Sequence, residues 1–141
     1  MKTFRILILL PLFWLGGCQS MLQHDSLYDQ LGGQPAIEKI VDNFIEEISF
    51  DPQIVTHFKD TNIDRLRTKL IEKLCNVSGG PCEYTGDSME QVHHKMNITE
   101  AEFNRTVDLL INAMNKAGVN LRTQNRLLAR LAPLREDIIY H

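Results

Sequence analysis

Apolar side chains recur at helical spacing from Ser26 to the end of the chain, and no stretch alternates apolar and polar residues convincingly as a half-buried strand would. Ser26 to Leu31 reads as a short helix stopped by Gly32-Gly33. Pro35 then opens a second helix, since proline is tolerated in a first turn. Its stripe is Ile37, Ile40, Val41, Phe44, Ile45 and Ile48, and Asp51-Pro52 breaks it. A short segment carries Ile54, Val55 and Phe58. Thr61 or Asn62 can cap a third helix with a buried face of Ile63, Leu66, Leu70, Leu74 and Val77, ended by Gly79-Gly80-Pro81. Thr99-Glu100-Ala101-Glu102 has the form of a capping box ahead of Phe103, Val107, Leu110, Ile111 and Met114, and Gly118 stops that helix. The last pattern is Leu127, Leu128, Leu131, Leu134 and Ile138, with Pro133 placed to bend it. The expectation is an all-α domain of four main helices with short connectors.

Between the third helix and the capping box lies a long glycine- and proline-containing loop, Gly79 to Ser88, leading into Met89-Glu90-Gln91-Val92-His93-His94-Lys95-Met96. Met89, Val92, His93 and Met96 can share one face of a short helix. So long a loop delivering so short a helix is an odd investment for a simple bundle. Two readings of the histidine follow from the residues alone: a satisfied core histidine, or a neutral imidazole facing a haem iron.

The first residues have the pattern of a secretory leader. Lys2 and Arg5 precede an apolar run from Ile6 to Leu15 that is too short to span a bilayer. The run ends in Leu15-Gly16-Gly17-Cys18, which resembles the lipobox of bacterial lipoproteins; the alternative is an ordinary signal peptide with an incidental cysteine. Residues 1–17 would be removed, residues 18–25 would form a lipidated cysteine and polar tether, and residues 26–141 would be the domain. Gln19 after Cys18 favours anchoring at the outer membrane, facing the periplasm, with membrane contact only through the lipid. Losing Lys2 and Arg5 leaves 13 basic against 18 acidic residues, a net charge of −5. No basic patch interleaved with aromatics occurs, so nucleic acid is not an expected partner. About 120 residues suit one domain.

Export bears on Cys75 and Cys82, which flank the turn-forming Ser78-Gly79-Gly80-Pro81. A disulfide closing this short loop fits an oxidising compartment. Two free buried thiols, or a metal site with a nearby histidine, are the alternatives, though the spacing matches no zinc motif.

Taken in order, several motifs resemble the group 1 truncated haemoglobins across Ser26 to about Ile139. They are Leu27-Tyr28-Asp29-Gln30-Leu31-Gly32-Gly33, Ile37 through Phe44, Phe58, Gly79-Gly80-Pro81, Tyr84-Thr85-Gly86, Met89 with His93 four residues on, Ile98-Thr99, and Leu131-Ala132-Pro133-Leu134-Arg135. The resemblance implies a truncated globin, a two-over-two helical sandwich around haem b, with His93 as the proximal iron ligand. His94 is the competitor, but it points about 100° away around a helix, and the family pattern selects the position four after the methionine. Phe58 matches the phenylalanine that packs on the haem face. Tyr84 and Lys69 are candidates for the haem edge, and Lys69 could equally be a solvated helix-face lysine. Met89, Val92, Ile98, Phe103 and Val107 would line the pocket or simply belong to the core.

On the distal side the chain departs from its relatives. Many group 1 members place a tyrosine after the phenylalanine of the second helix and a glutamine on the third. Here Ile45 follows Phe44, and Leu66 and Leu70 face from the third helix. Without a donor, oxygen should leave faster, while carbon monoxide and nitric oxide depend less on one. His57 is the only nearby polar substitute. The expected function is reversible binding of oxygen, nitric oxide or carbon monoxide, as carrier, buffer or sensor component, with an unidentified electron donor. The alternative is a haem enzyme, such as a nitric-oxide dioxygenase or peroxidase-like protein; no distal acid–base group or flavin or nicotinamide motif supports it. A haem-free helical lipoprotein that kept the fold is the third possibility.

Overall fold

The computed structural model describes residues 26–141, so the leader 1–17, Cys18 and the tether to residue 25 lie outside the described residues. Six α-helices follow in order: α1 (Leu27–Leu31), α2 (Gly33–Phe50), α3 (Ile63–Val77), α4 (Met89–His93), α5 (Glu100–Lys116) and α6 (Leu121–Leu131). Short 3-10 turns occupy Val55–Phe58 and Ala132–Asp137. Among the described residues, strand-like pairing is confined to one isolated parallel bridge between Ile98 and Ile139. The four long helices are those the periodicity predicts.

They form two layers. α2 packs along both α5 and α3, α3 also meets α6, and α1 lies against α2 and α6. This is the two-over-two sandwich that the sequence resemblance implies. Its centre is hydrocarbon: Ile37, Ile40 and Val41 of α2 meet Leu109, Ala113 and Met114 of α5 and Leu127 of α6, all essentially inaccessible to water. Each such buried aliphatic side chain contributes about 1.5–3 kcal/mol over its exposed state.

The helix starts are written in the sequence. Ser26 with Asp29, Ser88 with Gln91, and Thr99 with Glu102 form reciprocal capping boxes, while Asn62 and Asn120 accept from the backbone N–H groups of Arg65 and Thr123. One boundary differs from expectation. α2 begins at Gly33, directly after α1, so the double glycine is an elbow and Pro35 sits within the first turn. Gly32 makes the elbow with φ 104°, and a Cβ there would come within 2.8 Å of Ala36.

Two faces are rotated from the predicted ones. On α3 the deeply buried residues are Ile71, Leu74 and Cys75, whereas Leu66 and Leu70 are half-buried and Ile63 is 45% exposed. The N-terminal half of this stripe therefore borders a cleft and not the core. On α6 the buried residues are Thr123, Gln124 and Leu127, and Leu128 and Leu131 are half-buried. Gln124 is tolerated inside because its amide donates to Asn115 Oδ1 and the Val119 carbonyl, both at 2.7 Å. Pro133 does more than bend the last helix: α6 stops at Leu131 and the chain tightens into the Ala132–Asp137 turn, with Leu134 and Ile138 half-buried. α4 likewise ends at His93, which leaves Met96 beyond the helix and Val92 43% exposed.

Cys75, in the last turn of α3, is joined to Cys82 by a disulfide with Cα atoms 5.9 Å apart. That pairs the two cysteines as a short-loop clip and removes the free-thiol and metal alternatives. Gly80 is forced at this clip, because a Cβ there would overlap both the Tyr28 ring and Cys75 Sγ.

Candidate functional site

The loop that delivers α4 is held at several points. Tyr84 Oη donates to the Asp87 carbonyl at 2.8 Å, and a Cβ on Gly86 would overlap the tyrosine ring and hydroxyl. The backbone N–H of Thr85 donates to Glu72 at 3.0 Å, tying the loop to α3. Ser88 then caps α4. Five residues later the helix presents His93, whose Nδ1 lies 2.7 Å from the Met89 carbonyl. A carbonyl oxygen can only accept, so Nδ1 carries the proton and Nε2 keeps a free lone pair. The ring is half-buried, and burial pushes its pKa below the ordinary histidine value against the opposing pull of the Met89 carbonyl. The imidazole is thus neutral near pH 7. His94, one residue on, is exposed.

A separate cavity of about 260 Å³ lies at the α2–α3 junction. Ile45, Ile48 and Ser49 line it from α2, Val55 and Phe58 from the first 3-10 turn, and Ile63 and Leu66 from α3. The predicted residues Ile45, Phe58 and Leu66 come together here. The spacing of Ile48 and Ile63 predicts apolar helix faces, and Val55 belongs to the short connecting segment; the structure sets all three on the cleft. Ser49 is the single polar side chain of this lining, and its hydroxyl donates back to the Glu46 carbonyl at 2.7 Å. The wall therefore offers no free donor.

His57 does not supply one either. Its Nε2 pairs with Glu102 Oε1 at 2.9 Å, which turns the ring toward the start of α5 and away from the cavity lining. Glu102 is simultaneously the acceptor of the Thr99 capping box. The Thr99 backbone and hydroxyl bonds, followed by His57, hold its carboxyl down at about 2.

Leu70, Met89, Lys69, Tyr84 and His93 lie outside the lining of that cavity. Leu70 packs partly against the core. Lys69 sits 2.9 Å from both oxygens of Glu72 and donates to Thr85 Oγ1, so its charge is already matched. Lys69, followed by the Thr85 N–H, holds the Glu72 carboxyl below its usual range. Four residues on, one turn along the same face, Lys73 places its ammonium 3.8 Å from the centroid of the Tyr84 ring. Burial lowers its pKa. The sequence reading passed over Lys73, although its spacing from Lys69 is the signal that would have found it. Burial also raises the Tyr84 phenol. Of the remaining candidates, Phe103 and Val107 are half-buried on α5, and Ile98 is buried beside the C-terminal segment.

Among the described residues no group of three or more His, Cys, Asp or Glu side chains could hold a metal ion by itself. An iron porphyrin brings most of its iron's ligands with it and asks the protein for a single axial nitrogen. The free Nε2 of His93 and the uncovered apolar stripe of α3 fit such a group.

A family model for bacterial-like globins matches residues 26–140. A group 1 truncated hemoglobin of Mycolicibacterium paratuberculosis is 38% identical over 113 residues, which is 80% of this chain and 83% of that protein. A group 1 truncated hemoglobin of a Nostoc species is 31% identical over 114 residues, 81% of this chain and 97% of the other. Among solved structures, the truncated hemoglobin of Tetrahymena pyriformis in its Fe(III) form matches with a TM-score of 0.80 at 25% identity, covering 83% of this chain and 100% of that one.

Proposed function

This chain belongs to the bacterial-like globin family, and we propose from that premise that His93 holds its haem iron and that gas reaches the iron beside the Ile45–Phe58–Leu66 wall. The protein is a haem protein that binds diatomic gases. When bound, the haem supplies an iron with one coordination position left for a gas molecule. The rest is the work of this chain. The Met89 carbonyl at 2.7 Å fixes the tautomer and plane of His93 and makes its Nε2 a better donor of electron density. Half-burial keeps that nitrogen unprotonated. Phe58 and Leu66 offer flat and branched hydrocarbon to a macrocycle, and Lys73 over Tyr84 brings a desolvated positive charge to the loop side of α3.

The chemistry of the wall sets gas preference. A buried hydrogen bond to a charged or strongly polarised ligand is worth about 1.5–3 kcal/mol. Oxygen gains most from such a bond, and Ile45, Ile48, Val55, Ile63 and Leu66 provide none. The site should favour carbon monoxide and nitric oxide over oxygen, which suits a carrier, buffer or sensor component better than an oxygen-activating enzyme. The observation that supports this reading most directly is the commitment of both nearby polar groups, Ser49 to Glu46 and His57 to Glu102.

The exported form is also part of this proposal: removal of residues 1–17, lipid on Cys18, and a domain from residue 26 tethered at the outer membrane. The Cys75–Cys82 disulfide supports it, since such bonds persist in oxidising compartments. The test has two parts. Absorption spectra of the haem-loaded protein, ferric, ferrous, and under oxygen and carbon monoxide, should show tight carbon monoxide and weak oxygen binding. Slow oxygen release would mean that a donor enters the cavity. Intact mass of the membrane fraction should show diacylglycerol on Cys18, and an unmodified N-terminus at another residue would sink the anchoring.

A further inference from the structure

The helix that carries the proximal histidine has little to hold it. α4 is five residues long and none of them is buried. Its start is fixed by the Ser88–Gln91 capping box, but its end is closed locally by a single backbone bond, from the Met96 N–H to the His93 carbonyl at 3.0 Å, and His94 leaves the helix with ψ 130°.

The rest of what holds the exit comes from residues 138–141. The Asn97 N–H donates to the His141 carbonyl at 2.8 Å, and the Tyr140 N–H donates to the Ile98 carbonyl at 3.0 Å. Between these bonds Ile98 and Ile139 pair as an isolated parallel bridge, and Ile98 is buried. His141 Nε2 donates to the Glu136 carbonyl at 2.8 Å, folding the tail back on the Ala132–Asp137 turn, which itself packs against α4. Among the described residues, left-handed backbone at non-glycine positions occurs at Lys95, Asn97 and Tyr140, with φ 65°, 48° and 58°. All three lie at this one joint. Side chains with a Cβ resist that conformation, so the joint persists because the surrounding bonds over-determine it.

We infer that residues 138–141 are a strap that positions His93: by clamping Asn97 and Ile98 they fix the end of α4 and hence the angle at which Nε2 meets the iron. The inference rests on the reading of His93 as the iron ligand. Tyr140 and His141 are positioning residues; neither is required to touch the haem.

The experiment compares full-length haem-loaded protein with variants lacking residues 139–141, with Tyr140→Pro, which deletes the donated N–H, and with Tyr140→Gly, which keeps the N–H and suits the left-handed φ. The readouts are the iron–histidine stretching band of the ferrous, ligand-free form and the rate of haem transfer to excess apomyoglobin. The deletion and Tyr140→Pro should shift or broaden the band and speed haem transfer about tenfold, as loss of a supporting contact to a metal ligand does. Tyr140→Gly should match wild type. Ile139→Ala replaces the deletion if that variant fails to fold, as judged by far-ultraviolet circular dichroism. An unmoved band and unchanged transfer in folded deletion and proline variants overturn the strap. A surviving histidine band in His93→Ala overturns the ligand assignment itself, which is a different result.

Discussion

His93 Nδ1 and the Met89 carbonyl oxygen are 2.7 Å apart, one helical turn from each other on α4. The relationship is local, but it decides which ring nitrogen is free.

It follows that His93→Ala should lose stoichiometric haem, with affinity falling more than about 100-fold, beyond what loss of a mere supporting contact costs. His94→Ala should bind haem normally, because that ring is exposed and on another face. Haem titration followed by absorbance separates the two. Loss of haem in His94→Ala alone would reverse the assignment.

Ile45 lines the α2–α3 cavity with Phe58 and Leu66. Replacing it by tyrosine would place a hydroxyl in a wall that has no free donor. Oxygen release should slow by roughly ten- to hundredfold, the equivalent of about 1.5–3 kcal/mol, and carbon monoxide release should change far less. Stopped-flow displacement measures both. Equal rates before and after would mean that residue 45 does not face the gas.

Glu102 joins the Thr99 capping box to His57, and its carboxyl is held at about 2 against an ordinary 4.5. A carboxylate with a depressed folded-state pKa stabilises the protein above the unfolded value and loses that stabilisation as pH falls. The unfolding free energy should therefore decline between about pH 4.5 and about pH 2. Glu102→Gln should be less stable at pH 7 and should show a shallower decline across this window. Urea midpoints measured from pH 6 to pH 2 test the slope; parallel curves would assign the acid sensitivity elsewhere.

The Cys75–Cys82 disulfide closes a short loop on α3, against Tyr28 and Gly80. In the chain-entropy account, removing a clip of this size costs about 2 kcal/mol. The double serine variant should lower the thermal midpoint by several degrees. Mass spectrometry of non-reduced peptides from exported protein should find the two cysteines joined, and free thiols there would contradict the oxidised form.

Much of this molecule is readable from its residues because the signals are local. Ser88 with Gln91 and Thr99 with Glu102 announce two helix starts three residues in advance, since a side chain must satisfy an N–H that the helix cannot. Gly118, with φ 80°, ends α5 for a similarly local reason. The histidine, its methionine four residues earlier and the glycine-rich approach are also a local pattern, but alone they leave a core histidine and an iron ligand both open, and it is the family resemblance that selects His93.

Other features depend on what lies opposite. The stripe Ile63, Leu66, Leu70 has the spacing of a core face, yet Ile63 is 45% exposed and borders, with residues of α2 and the Val55–Phe58 turn, a cavity. Periodicity reports which residues share a face, not whether another surface covers it. His57 could have pointed into that cavity; a carboxylate on α5, 45 residues away in sequence, draws it out. Lys69 could have been a free cation until Glu72 and Thr85 met it.

The sequence by itself determined the long helices and their caps, which arise from interactions within a turn or two of chain. Only the tertiary structure decided which apolar face stayed uncovered, that His57 was spent on Glu102, and that residues 138–141 return to the exit of α4. Those outcomes come from contacts between residues far apart in sequence, and spacing along the chain holds no record of them.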